Sequence, residues 1–116
     1  KIDVRVIAAT NKDLKKEIED DNFREDLYHR LAVIIIDVPS LNSRKDDIPL
    51  LIEHFSKSVA DSHGSTIKKF SAKAIESMKK HDWSGNVREL RNVVERLIIL
   101  GDKEISQKNV KDFIKI

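Results

Sequence analysis

The sequence predicts an α/β segment followed by an all-α segment, and two hydrophobic patterns lead to this fold class. Residues 4–9 and 33–38 are almost continuously apolar and rich in β-branched side chains. Such runs are typical of strands in a parallel sheet that is covered on both faces. After Pro39, apolar residues recur instead at the spacing of amphipathic helices. We therefore expect two strands of a parallel sheet with two helices between them, followed by about four helices.

The two helices of the α/β segment are predicted from short apolar stripes. Residues 12–20 place Leu14 and Ile18 on one face, and residues 23–31 place their three large apolar side chains on one face. We assign residues 1–39 to this part of the chain.

The all-α part is predicted at residues 46–116, after a linker at residues 40–45. Its first helix begins near Asp46 or Asp47, because Pro49 must lie in the first turn, where a missing N–H group is tolerated. The other start and stop signals are Gly64, Ser71, Asn86 with Glu89 as a capping-box partner, Gly101 and Ser106.

Composition narrows the class of function. The 116 residues carry 22 Lys and Arg against 20 Asp and Glu, so a net charge of +2 gives little support for nucleic-acid binding. The absence of Cys excludes a disulfide scaffold, a thiolate nucleophile and Cys-ligated zinc. The four His residues show no metal-ligand spacing, no apolar run suits a membrane span, and no phosphate loop of the form G-x-x-x-x-G-K-S/T occurs.

Asn11 follows the first predicted strand. Ligands of open α/β sheets lie outside the carboxyl ends of strands, and an Asn side chain there can orient a water or contact a phosphate oxygen. The alternative is that Asn11 caps the following helix, and the residues alone leave both open.

Arg24 and Arg30 lie in the first and last turns of the second predicted helix. An ion pair between Arg30 and Asp26, four residues apart, would be an ordinary surface feature. Alternatively, guanidinium groups at a subunit edge suit stabilisation of a phosphoryl group on a neighbouring subunit.

Arg88 lies in the first turn of a helix for which Asn86 is the predicted cap. A cation is mildly unfavourable there unless an anion is shared between the guanidinium and the free amides of the helix start. A surface cluster of Arg88 with Glu89 is the alternative, and Trp83 is predicted to anchor the preceding turn.

Four motifs together cover most of the chain. They are VRVIAATNKDL at 4–14, FREDLYHRL at 23–31, LNSRKDDIPLL at 41–51 and WSGNVRELRNVVERLIIL at 83–100. In this order they closely resemble the AAA+ ATPase domain of sigma-54-dependent transcriptional activators, the bacterial enhancer-binding proteins typified by nitrogen-regulation protein C. The fold expected from the resemblance is two strands of the AAA+ sheet with two helices, and then the helical lid.

The resemblance implies roles for seven residues. Asn11 matches sensor I, Arg24 and Arg30 match the arginine fingers, and Arg88 matches sensor II. The nucleotide-contacting set also includes Arg44, Ile48 and Asn86, and no metal ligand is expected. The sequence departs from the family pattern at Ser84, where Pro is common, and at Asn42-Ser43, where Arg-Glu is more usual.

The resemblance also implies a function. A ring of identical subunits hydrolyses ATP with Mg²⁺ and remodels sigma-54 RNA polymerase, in a cytoplasmic bacterial regulator of the response-regulator, two-component type. The family's Walker A and Walker B motifs and its sigma-contacting loop would precede Lys1, and a DNA-binding domain would follow Ile116. We therefore expect a fragment that is inactive and binds no cofactor tightly alone. We also expect its two strands to pair directly or through a second chain, giving a dimer.

Two other functions are considered. Residues 72–81 and 87–100 could form a helix-turn-helix DNA-binding module with Arg88, Arg91 and Arg96 facing the groove. Interleaved acidic residues and the low net charge oppose it. Another AAA+ branch, such as a helicase loader or a protease, is opposed by the second and fourth motifs.

Overall fold

Two units make up the computed structural model, which describes residues 2–114. The division lies between Val38 and Pro39, giving the units Lys1–Val38 and Pro39–Ile116. The end of the α/β part was expected at residue 39, next to this division.

The first unit contains two short α-helices, α1 (Leu14–Glu19) and α2 (Glu25–Leu31), both of which the sequence predicts. The carboxylate of Asp13 caps α1 by accepting a hydrogen bond from the Lys16 amide at 3.3 Å. Asp21, in the left-handed region with φ 59°, ends α1. The following amide then reaches back to the Glu17 carbonyl at 2.8 Å, the arrangement of a Schellman motif.

The two predicted strands of the first unit form no strand among the residues described. Residues 4–9 and 33–38 have no regular secondary structure, and their large apolar side chains are exposed, with Ile34 and Ile36 each at 81%. Direct pairing of these segments was therefore a wrong expectation. β-propensity reflects fit to a pleated, half-buried surface, and no other described segment of the chain supplies one. Pairing through a second chain stays a prediction.

The second unit is the expected bundle of four helices, so the fold class is confirmed there. Its elements are a 3-10 helix (Leu41–Asp47), α3 (Ile48–His63), β1 (Lys69–Phe70), α4 (Ala72–Lys80), α5 (Asn86–Leu100), β2 (Glu104–Ile105) and α6 (Gln107–Phe113). β1 and β2 form a short parallel pair, Lys69 opposite Glu104 and Phe70 opposite Ile105, which the sequence did not predict. We refer to this unit as the lid.

The structure corrects the prediction that residues 40–45 form a linker between the two parts of the chain. These residues lie mostly in the 3-10 helix, and Leu41 is fully buried in the lid core. Burial of one large apolar side chain contributes about 1.5–3 kcal/mol toward holding this segment against the bundle.

Most of the predicted helix ends are confirmed. Asp47 is the N-cap of α3, with Pro49 in the first turn, and Gly64 ends this helix at φ 60°. The hydroxyl of Ser71 accepts from the Ala74 amide at 3.1 Å, and Ser106 forms a capping box with the third residue of α6. These signals are local, so sequence alone identifies them.

The lid core forms where α3 packs against α5, while α4 packs mainly against α6. The fully buried side chains include Leu41, Ile48, Met78, Trp83, Leu90 and Leu97. The buried face of α5 includes Val93, whereas Val87 is only partly buried.

Two cations satisfy carbonyl groups at helix ends. The Lys68 ammonium donates to the carbonyls of Ile98 at 2.6 Å and Gly101 at 3.2 Å, at the end of α5. The Arg96 guanidinium donates to the Phe113 carbonyl at 3.2 Å, at the end of α6. Both place positive charge at a helix C-terminus, where the helix dipole favours it.

Trp83 anchors the turn between α4 and α5, as predicted. The side chain is fully buried, and its indole N–H donates to the Met78 carbonyl at 2.7 Å. The ring of His81 lies edge-on at 4.5 Å between centroids. The turn is thus fixed to the end of α4 by both packing and a hydrogen bond.

Position 85, next to this turn, requires glycine because Glu89 leaves no room for a side chain there. Its amide donates to the Glu89 carboxylate at 3.1 Å, and a Cβ atom at this position would lie 2.7 Å from the Glu89 Cβ. Such a distance is too short for two carbon atoms, so a larger residue would displace the first turn of α5.

Trp83→Phe should lower the free energy of unfolding by about 2 kcal/mol, because it shrinks a buried side chain and removes the indole N–H that donates to the Met78 carbonyl, which keeps the His81 amide as a donor at 3.3 Å. Urea unfolding followed by far-UV circular dichroism measures the change. Tyr28→Phe is the matched control, since the Tyr28 hydroxyl makes no hydrogen bond within residues 2–114. An unchanged midpoint for Trp83→Phe would contradict the assigned anchor.

Gly85→Ala should destabilise the lid by about 1–3 kcal/mol through the clash with Glu89. Thermal unfolding followed by Trp83 fluorescence provides the measurement. The neighbouring Ser84→Ala replaces an exposed side chain and should change stability by less than about 0.5 kcal/mol. Equal stability of the two variants would show that the first turn of α5 adapts freely.

Candidate functional site

Arg88 is exposed in the first turn of α5, and within residues 2–114 it makes no ion pair or side-chain hydrogen bond. Glu89 is directed to the Gly85 amide and lies 4.0 Å from the His81 ring nitrogen, so the alternative of an Arg88–Glu89 cluster is wrong. The amides of Val87 and Arg88 have no partner in the described part of the chain. An unpaired guanidinium and free amides therefore share the start of this helix.

Asn86 does not cap α5, contrary to the sequence prediction. Gly85 is the N-cap, and Asn86 itself has φ 54°, a left-handed conformation that Asn tolerates better than most residues. Its side-chain oxygen accepts from the Leu41 amide at 3.0 Å, and its NH₂ group points to the Ser84 carbonyl at 3.5 Å. The side chain is therefore engaged within the lid.

Asn42 makes two hydrogen bonds that sequence reasoning missed. Its oxygen accepts from the Trp83 amide at 2.8 Å, and its NH₂ group donates to the Asp82 carboxylate at 2.7 Å. The only signal in the sequence was the departure from the family pattern at this position. Both bonds join the start of the 3-10 helix to the turn before α5.

The other lid candidates, Arg44 and Ile48, have different surroundings. Arg44 is exposed and lies 3.8 Å from the Asp47 carboxylate, with a non-helical backbone (φ −136°, ψ 50°) that interrupts the 3-10 helix. Ile48 is fully buried in the lid core, so its side chain has a packing role. We do not retain Ile48 as a nucleotide contact.

Asn11 is exposed and is not the cap of α1, because Asp13 has that role. The adjacent Thr10 hydroxyl accepts from the Lys12 amide at 3.1 Å and shapes the loop. Within the described residues the Asn11 side chain makes no hydrogen bond, which leaves its amide available.

Arg24 and Arg30 differ in their partners. Arg24 makes a bidentate pair with Asp26 at 2.6 Å and 3.0 Å, and both side chains are exposed. Arg30 is exposed and has no ion pair within residues 2–114, so the alternative of an Asp26–Arg30 pair is wrong. An exposed pair of this kind contributes less than about 1 kcal/mol, so a phosphate could displace it.

An open depression lies beside Arg24 in the first unit. Its lining includes three carboxylates, from Asp21, Glu25 and Asp26, together with Phe23 and one guanidinium. This charge balance does not suit an anion, so the depression is not a phosphate site.

The seven candidates fall into both units: Asn11, Arg24 and Arg30 lie in the first, and Arg44, Ile48, Asn86 and Arg88 lie in the lid. Residues 2–114 contain no cluster of three or more acidic or His side chains suited to a metal ion. None of the described helices combines the length and the apolar character needed to cross a membrane.

The helix-turn-helix alternative is not supported by the packing. Arg96, one of the three proposed groove-facing residues, is bonded to the end of α6. In addition, α4 packs mainly against α6 and α3 rather than against α5. The two helices are therefore separate parts of the bundle.

Comparison with protein families divides the chain near the boundary between the two structural units. Residues 42–115 match the AAA+ ATPase lid domain family, and residues 1–37 match the sigma-54 interaction domain family. The chain is 56% identical over 97 residues to a signal-transduction and transcriptional-control protein of Clostridium beijerinckii, covering 84% of this chain and 15% of that protein. It is 47% identical over 108 residues to the DNA-binding transcriptional regulator NtrC of Rhizobium meliloti, covering 93% of this chain and 22% of that regulator.

A solved structure is similar over almost the whole chain. The crystal structure of NtrX from Brucella abortus in complex with ATP has a TM-score of 0.89 and 40% identity, and the match covers 99% of this chain and 28% of NtrX. The chain thus spans 15% to 28% of the length of the three proteins named here. From the lid match and these relatives, the chain belongs to the AAA+ ATPase domain family of sigma-54-dependent transcriptional activators, with its lid at residues 42–115.

Proposed function

We propose that this chain is the nucleotide-sensing and subunit-contacting part of a sigma-54-dependent transcriptional activator. In the complete protein, a homo-oligomeric ring hydrolyses ATP and uses the energy to remodel sigma-54 RNA polymerase. The observation that carries this proposal is Arg88, an exposed guanidinium that has no partner among residues 2–114 and lies at the start of a lid helix whose first amides are free within the same residues.

Arg88 acts as sensor II in this proposal. A phosphate at the start of α5 accepts hydrogen bonds from the free amides and pairs with the guanidinium, which removes the unfavourable interaction of Arg88 with the helix dipole. The crystal structure of NtrX with ATP supports a nucleotide as the anion. Arg44 is assigned a second, weaker contact near the base and ribose.

Arg24 and Arg30 act as arginine fingers toward the nucleotide of the neighbouring subunit. Arg30 has no ion pair to break within the described residues, whereas Arg24 exchanges its exposed pair with Asp26 for the phosphate. Asn11, whose side-chain amide has no hydrogen bond within residues 2–114, acts as sensor I. Placing positive charge on a transferring phosphoryl group raises the rate by about 10³–10⁵-fold in related chemistry.

ATP and Mg²⁺ are the cofactors of the complete protein. Most ground-state phosphate binding comes from a phosphate loop with its Lys, and Mg²⁺ is held by that loop and an acidic strand end. The 116 residues contain no G-x-x-x-x-G-K-S/T loop. We therefore propose that this polypeptide alone neither hydrolyses ATP nor binds it tightly.

The wider assignment follows the same family. We propose a cytoplasmic bacterial regulator that binds DNA through a separate C-terminal domain and receives its signal through a separate domain, as in two-component response regulators. The relative NtrC is described as a DNA-binding transcriptional regulator, which supports this organisation.

Arg24→Ala and Arg30→Ala in the complete protein should each lower the ATPase rate by about 10³-fold or more, because each removes charge from the phosphoryl group. Steady-state hydrolysis measures the effect. Mixing either variant with subunits whose phosphate-loop Lys is replaced should restore part of the activity, since a finger acts on the neighbour's nucleotide. Lys15→Ala, an exposed cation of the same unit, should behave as wild type. Mixed rings without any recovery would rule out action between subunits.

Isothermal titration of residues 1–116 with Mg-ATP should show a Kd weaker than about 1 mM, because the main phosphate-binding groups are not among these residues. Triphosphate without Mg²⁺ serves as the comparison. Micromolar affinity would refute the proposal that residues 1–116 alone do not bind ATP tightly.

A further inference from the structure

Two asparagine side chains join the start of the 3-10 helix to the turn before α5. Asn42 accepts from the Trp83 amide at 2.8 Å and donates to the Asp82 carboxylate at 2.7 Å. Asn86 accepts from the Leu41 amide at 3.0 Å. We call these three hydrogen bonds the amide latch. They connect residues that are 40–45 positions apart in the sequence.

Each of the two segments, the 3-10 helix and the turn leading into α5, contributes one Asn that bonds to the other segment. Contacts from both sides fix the two segments more firmly than one contact would. Asn42 reaches from the 3-10 helix to the backbone and side chain of the turn, and Asn86 reaches from α5 back to the backbone of the 3-10 helix. Bonds made by a planar amide to a backbone N–H group specify both distance and orientation. Neighbouring Leu41 and Trp83 are fully buried, so the latch lies directly on the core.

Asn86 also has an uncommon backbone conformation. With φ 54° it is the first residue of α5 and lies two residues before Arg88. Uncommon backbone angles persist where surrounding contacts hold them. Here the surrounding contacts are the Leu41 amide and the turn that Asn42 holds.

We propose that the amide latch positions Arg88, and that Asn42 and Asn86 are positioning residues for the phosphate contact rather than nucleotide ligands. The inference rests on the proposed role of Arg88. Arg88 has no partner within the described residues to orient it, so the direction of its side chain depends on where the first turn of α5 begins. The latch sets that point relative to the rest of the lid.

The chemistry of Asn42 and Asp82 allows an exchange of donor and acceptor. Asn42→Asp keeps an oxygen for the Trp83 amide but sets two carboxylates against each other where one hydrogen bond of 2.7 Å stood. Adding Asp82→Asn returns a donor to the pair, now from position 82 to position 42. The double variant therefore has the latch and the net charge of the wild type.

The test measures kcat and KM for ATP in the complete ATPase that contains these residues. Asn42→Asp should raise KM about tenfold, the size expected for one weakened hydrogen bond to a charged group, with kcat changed by less than about twofold. The double variant with Asp82→Asn should return KM to within about twofold of the wild type. In an Arg88→Ala background, Asn42→Asp should leave KM unchanged, because the latch acts through Arg88.

Other outcomes overturn the inference. A purely structural role would reduce the folded fraction and so lower kcat at constant KM, or would raise KM equally with and without Arg88. If Asn42→Asp does not fold, the double variant carries the test, and its failure to restore KM overturns the latch. Gln107→Glu, the same change of amide to carboxylate at an exposed position of α6, is the control and should behave as wild type.

Arg88→Ala separates this inference from the proposed function. If Arg88→Ala raises KM and Asn42→Asp does not, the latch is wrong and the role of Arg88 stands. If Arg88→Ala itself has no effect on KM, the role of Arg88 fails, and the latch inference fails with it.

Discussion

Burial of Trp83 is the constraint on which the arrangement of the lid depends. The side chain is fully buried, and its indole N–H satisfies the Met78 carbonyl at the end of α4. This fixes the turn between α4 and α5, and the same turn supplies the amide that Asn42 binds. One buried aromatic residue and its hydrogen bonds thus hold the turn from which α5 begins, and the Trp83 carbonyl accepts from the Asn86 amide at 3.0 Å.

The hydrogen-bond partners of Lys68, Arg96 and Arg88 distinguish cations with a structural role from a candidate for ligand binding. Arg96 and Lys68 bind carbonyl groups at helix ends, where the helix dipole favours them. Arg88 lies at a helix start, where the dipole disfavours it, and has no partner in the described part of the chain. A cation that gains nothing from its own fold is a better candidate for a ligand contact than one that closes a helix.

Sequence patterns and tertiary structure agree best where an element depends on near neighbours. Ser71, Gly64 and Ser106 are found where the sequence predicts them, because a cap needs only residues within one turn. The strand segments at 4–9 and 33–38 show the opposite case. Their β-branched residues favour a strand, but a strand also needs a paired neighbour, which no other described segment provides.

The sequence by itself determined the family, the four lid helices and the candidate phosphate-contacting arginines, because motifs and helical periodicity depend only on residues that are close in the sequence. Only the tertiary structure decided the roles of the asparagines. The sequence predicts that Asn86 is a helix cap, but its side chain accepts a hydrogen bond from a backbone amide 45 positions away. The sequence places Asn42 in a linker, but its side chain accepts from the Trp83 amide. Such bonds depend on which distant segments the core brings together, and no local pattern records that.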